Sequence, residues 1–200
     1  MKATALFVPV LVTLTFSLAT ASPARAASNG AAAPAAAAAA VDDTLAVPGY
    51  PVARDVPNAH ELPDPKLDYK IAWGIGNGAK DMSAEVNPNL ETLARYVNTL
   101  HKWGVPKEKR HIIVMFHQRS ADFDIVLGNE AFKAKYGKDN PNIALISALK
   151  KAGVEFHSCG QAVVGRKLEA KDINPDIQVD LWAMTTFFNL QMKGFVRAGN

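Results

Sequence analysis

Cys159 is the only cysteine in the 200-residue chain. One thiol cannot close an internal disulfide, so it is left to pack as a small apolar group, to pair between chains, or to react. It lies in GVEFHSCGQAVVGRK, residues 153–167, with His157 two positions before it and Gly160 and Gln161 directly after. A second imidazole, His117, ends the run HIIVMFH at 111–117. A thiol with imidazole neighbours suits nucleophilic attack on, or carriage of, sulfur or another electrophile. The same three side chains allow two other readings. Cys159 can be a small residue packed under a helix, with the histidines as hydrogen-bonded bystanders. His117, His157 and Cys159 can also converge on copper or zinc, although His-x-Cys on a strand is an unspecific pattern.

What could bring these residues together is an alternation of strands and helices. YKIAWGIG (69–76), HIIVMFH (111–117) and VEFHSCG (154–160) read as strands, and IIVMF is apolar enough for a strand buried on both faces. Two helical units share one grammar. NPNLETLARYVNTLHKWG (87–104) has Asn87 to cap, Pro88 at the first turn, apolar residues at helical spacing and Gly104 to stop. NPNIALISALKKAG (140–153) repeats this with Asn140, Pro141 and Gly153. Between the second and third strands, DFDIVLGNEAFKAKYG (122–137) reads as helical to Gly137. Val179 to Met192 reads as an apolar helix ending near Gly194, followed by a short strand, FVRA. The pattern predicts a three-layer α/β fold with a mostly parallel sheet and right-handed crossovers.

In such a sheet, ligands gather at the carboxyl ends of the strands. His117 and Cys159 would then share a rim if their strands are neighbours. His157 would point to the same face as Cys159. A helix beginning at GQAVVG would place backbone N–H groups beside the sulfur, which favours thiolate over thiol. Gly160 would let a substrate or partner backbone approach closely.

The amino end reads as an address. MKATALFVPVLVTLTFSLATASPARA has a basic start, an apolar run and a small-x-small site at Ala24–Ala26, the pattern of a secretory signal peptide over residues 1–26. Its removal takes away Lys2 and Arg25 and no acid, lowering the formal charge from +3 to +1. A near-neutral chain argues against nucleic acid as a partner. No later stretch is apolar enough to span a membrane, so the expected location is periplasmic or secreted. Residues 27–41 are an alanine-rich spacer, and 42–65 carry five prolines and should run extended. The domain is then expected over 66–200, long enough for one core. GIGNGAK (74–80) lacks GxGxxG spacing, and no Walker, GxSxG or paired-carboxylate motif is present, so no cofactor is expected. Trp182, Phe187 and Phe188 suggest core or subunit interface.

Three segments in this order resemble the DsrE/DsrF-like family, in particular its secreted single-domain branch. They are VNPNLETLARYVN, AFKAKYGKDNPNIALISALKKAGVEFHSCGQAV and INPDIQVDLWAMTTFFNLQMKGF, within about residues 66–200. The resemblance implies a flavodoxin-like fold and assembly into homo-oligomers, trimers or hexamers. It also implies that Cys159 carries sulfane sulfur as a persulfide, one of the reversible states of a reactive thiol. The partners would be a donor or acceptor protein or a small thiol, with His117, His157, Gly160 and Gln161 lining the binding site. Two departures stand out: Gln118 follows His117 where the family usually has glycine, and Trp182 replaces a small residue.

Overall fold

In a computed structural model, the structure describes residues 45–117 and 121–199. The stretches read as signal peptide (1–26) and spacer (27–41), and Gln118, lie outside the described residues. Five strands, β1 (Tyr69–Ile75), β2 (Arg110–Phe116), β3 (Val154–Cys159), β4 (Ile177–Asp180) and β5 (Val196–Gly199), form one sheet in the order β4-β3-β2-β1-β5. Every pairing is parallel.

This order explains the layers. From β1 to β4 the chain steps steadily across the sheet; it then returns over the whole sheet to lay β5 against β1. A connection that reverses direction with the same handedness must cross on the opposite face. Helices α1 (Pro88–Lys102), α3 (Ile143–Lys151) and α4 (Gly160–Gly165) therefore cover one face, and α5 (Ala183–Met192), in the return connection, covers the other.

Strand alternation divides the side chains accordingly. Ile71 and Ile75 of β1, Ile112, Val114 and Phe116 of β2, and Val154 and Phe156 of β3 enter the main core with Leu90, Leu93, Val97 and Leu100 of α1 and Leu145, Ile146 and Leu149 of α3. Phe116 and Phe156 stack with centroids 6.0 Å apart. The other face carries a smaller cluster: Ala72, Met115, Cys159, Ala183, Phe187 and Leu190.

The amino-terminal strap, residues 45–65, is irregular, as its prolines require. Its start is tied down. Val47 is fully buried, and the buried Asn98 side chain accepts a hydrogen bond from the Val47 N–H at 2.7 Å and donates to the Val47 and Tyr50 carbonyls at 2.9 Å.

Three expectations need correction. Asn87 caps α1 by accepting from the Asn89 N–H at 2.8 Å, but Asn140 does not cap α3, which starts only at Ile143. The buried Asn140 instead accepts from the Asn142 N–H and donates to the Ile125 and Leu127 carbonyls, closing a turn. The stretch 122–137 is not one helix. A 3-10 segment (Ala121–Val126) breaks at Gly128, and α2 (Asn129–Tyr136) follows, ending at Gly137 with φ 76°. Val179 belongs to β4, not to a helix. Its short strand ends at Asp180, and α5 begins only at Ala183.

A cationic pocket above Cys159

Cys159 ends β3, next in the sheet to β2, and β2 pairs Phe116 with Ser158. His117 follows Phe116, so the two strand ends bring His117 and Cys159 to one rim. Cys159 is 5% exposed and forms part of the floor of a cavity of about 580 Å³. His117, Gln161, Arg166, Trp182, Phe187 and Arg197 are among its walls.

Two helix starts meet at the sulfur. Cys159 is the N-cap residue of α4, whose first residue is Gly160. From the other side, the Ala183 N–H at the start of α5 donates to Cys159 Sγ at 3.4 Å. Ala183 is the first residue of α5, so its N–H has no partner within the helix and is given to the thiol. An N–H aimed at sulfur stabilises negative charge that builds there during transfer.

Gly160 has a different task from the expected one. A Cβ at this position would lie 2.4 Å from the Asp180 carbonyl oxygen and 3.2 Å from that of Leu181. The backbone that approaches Gly160 is therefore the chain's own β4–α5 link, held close enough to bring Ala183 onto the sulfur. Gln161 helps hold the same link, donating from Nε2 to the Leu181 carbonyl at 3.2 Å while lining the cavity.

His157 points to the same sheet face as Cys159 but does not line its cavity. Its Nδ1 lies 2.9 and 3.0 Å from the two carboxylate oxygens of Asp180, and the Thr186 hydroxyl donates to Asp180 at 2.6 Å. This group borders a neighbouring cavity with Glu155, Asn189 and Lys193. Trp182 lines both cavities. Among the described residues no cluster of three or more His, Cys, Asp or Glu is arranged to hold a metal ion. The convergence of His117, His157 and Cys159 on one ion is thus not formed.

Sequence reasoning placed Cys159, His117 and Gln161 together and missed both arginines. The Arg166 guanidinium lies over the Phe123 ring at 4.8 Å, and that of Arg197 over the Phe187 ring at 4.3 Å. Arg166 just follows α4 and Arg197 lies on β5, so only the return crossover brings Arg197 to the pocket. A reading of FVRA as a closing strand contains Arg197 but not the sheet edge it joins.

Comparison with curated proteins finds no match. Among solved structures, a protein of unknown function, MTH1491, from Methanobacterium thermoautotrophicum is similar. Its identity to this chain is 12%, its TM-score 0.48, and the match covers 66% of this chain and 100% of that one. The model of the DsrE/DsrF-like family matches residues 70–196, which span the sheet from β1 to the start of β5 and include every wall of the Cys159 pocket except Arg197. The chain belongs to the DsrE/DsrF-like family.

Proposed function

We propose that this protein handles sulfane sulfur outside the cytoplasm, carrying it as a persulfide on Cys159. Family membership is consistent with a role in sulfur relay. The observation that carries the reading is the Ala183 N–H directed at Sγ at the floor of a pocket. The Cys159 thiolate takes a terminal sulfur from a donor, forming the Sγ–S bond as the donor's S–S bond breaks and its electron pair leaves with the donor. A partner thiolate then removes the sulfur by the same exchange in reverse. The signal-peptide pattern of residues 1–26 supports a periplasmic or secreted location, and cleavage at its small-x-small site would start the mature chain at Ala27. No helix among the described residues is long and apolar enough to cross a membrane. Leu181, Trp182, Met184, Phe188 and Met192 are exposed on α5 and the link before it, which supports a homo-oligomer, a trimer or hexamer, that covers them.

A second reading is favoured by one observation: Cys159 is buried within the small apolar cluster under α5. There it would only pack, and the protein would be a non-catalytic assembly module. Intact mass of the protein purified without reductant separates the two. A species heavier by one or more sulfur atoms, reversed by reductant and absent in Cys159→Ser, supports carriage. An unmodified thiol that alkylates only in denaturant supports packing.

A further inference from the structure

The Cys159 pocket has a chemical bias that the sulfur-handling reading does not require. Two of its lining residues are arginines, a third is His117, and no carboxylate lines it among the described residues. The cavity on the other side of Trp182 is mixed, bordered by Glu155 and Asp180 together with His157 and Lys193. The Arg197 guanidinium is stacked on the Phe187 ring, which uses its face and leaves its N–H donors in the plane, and Arg166, over the Phe123 ring, adds a second positive charge to the lining. The Arg197 fork matches the oxygens of a sulfonate or sulfinate group. Trp182, Met184, Phe187 and Phe188 add an apolar wall for the rest of a ligand.

Resting on the sulfur-handling reading and sharpening it, we infer that the donor for this pocket is a thiosulfonate, a small anion with a terminal sulfane sulfur bonded to an oxidised sulfur. Inorganic thiosulfate is the simplest member. An attacking thiolate and an anionic donor repel each other, and two guanidinium groups lining the same cavity as the thiol offset that repulsion. In the step, Sγ attacks the terminal sulfur and the Sγ–S bond forms. The donor S–S bond breaks, and its electron pair leaves with sulfite, or with a sulfinate when the donor carries an organic group. Charge is conserved: thiolate and thiosulfate dianion give persulfide anion and sulfite dianion. The cysteine sulfur is oxidised to the persulfide level as the sulfonate sulfur is reduced, so no further oxidant enters. Arg197, with the positive charge of Arg166 on the same cavity wall, holds the oxyanion that becomes the leaving group, and the Ala183 N–H faces Sγ, the attacking sulfur.

The test is loading of the reduced, desalted protein with inorganic thiosulfate and, in parallel, with an alkyl persulfide, which has no sulfonate oxygens for the arginines to hold. It is read by intact mass and by sulfite release. Wild type should load from both, and Cys159→Ser from neither. Arg197→Gln and Arg166→Gln should each slow loading from thiosulfate roughly tenfold or more, the scale of losing a charge-assisted contact, and leave loading from the alkyl persulfide within about twofold. Arg197→Lys should recover only part of the rate, because lysine restores charge without the fork. Unchanged circular dichroism and melting temperature guard against misfolding, and Arg197 is exposed at the sheet edge, so its replacement should not unfold the chain. Loading from the alkyl persulfide alone, or equal slowing of both donors in the arginine variants, overturns the thiosulfonate assignment and leaves sulfur carriage standing. Failure of both donors to load Cys159 overturns both.

Discussion

The two faces of the sheet are built to different depths. One is covered by α1, α3 and α4 and holds a continuous core that reaches from Val47 of the strap to Ile177 of β4. The other is covered by α5 and buries six residues, one of them Cys159. Hydrophobic burial stabilises in proportion to the area removed from water, so most of the fold's stability belongs to the first face. The second is free to keep a cavity, an N–H directed at a thiol and a row of exposed apolar side chains. The contrast teaches that the chemistry has been placed where loosening the structure costs least.

Five substitutions break or sharpen that contrast. The largest effect is expected at Phe156, buried in the deep face against Phe116. Phe156→Ala should lower unfolding free energy by about 3–5 kcal/mol in urea titration, whereas Leu190→Ala on the thin face should cost about 2 kcal/mol. Equal losses would mean that the two faces contribute alike. Next is Asn98→Ala, which leaves buried backbone groups of the strap without partners. A loss of about 1–3 kcal/mol is expected, with new proteolytic cleavage near residue 50. An unchanged digest would show the strap to be held by apolar contact alone. Gly160→Ala must push the Asp180 carbonyl away. The expected cost is also about 1–3 kcal/mol, in the lower half of that range, with faster alkylation of Cys159 as the Ala183 N–H withdraws. Alkylation at the wild-type rate would remove the link from its positioning role. The smallest effect on the single chain is expected for Phe188→Ser, within about 0.5 kcal/mol because the ring is exposed. In sedimentation the same variant should dissociate the proposed oligomer, and an intact assembly would place the subunit contact elsewhere.

Much of the fold was legible because its signals are local. Asn87, Pro88 and the apolar stripe of α1 act within a few residues of one another, and the strand runs of β1, β2 and β3 announce themselves by composition. Asn140 shows the limit. The same Asn-Pro-Asn triplet occurs twice, but at the second site the Asn140 side chain finds better partners in the distant Ile125 and Leu127 carbonyls, and the helix starts later. Tertiary hydrogen bonds there override the cap. Strand β4 was hidden because four residues carry too little periodicity to separate from an apolar helix beside them. Within the site, adjacency of β2 and β3 made the His117–Cys159 pairing readable. The separation of His157 was not readable, because it depends on Asp180, whose strand was missed. Arg197 was unreadable for a related reason: its place depends on which edge the last strand joins.

That last strand has a consequence for the order of assembly. β5 pairs with β1, so the first and last strands of the sheet, over a hundred residues apart in the chain, are neighbours. Contacts of long sequence separation form late, after nearer ones have lowered the entropy of closing the loop between them. β1, β2 and β3 can join with their intervening helices while the carboxyl end is still loose. The pocket then lacks the Arg197 wall until the final residues dock. Cys159 is therefore completed as a site only when β5 has docked, and a chain interrupted before Val196 should keep its deep core and the α5 cover of its one thiol while lacking the Arg197 wall of the pocket.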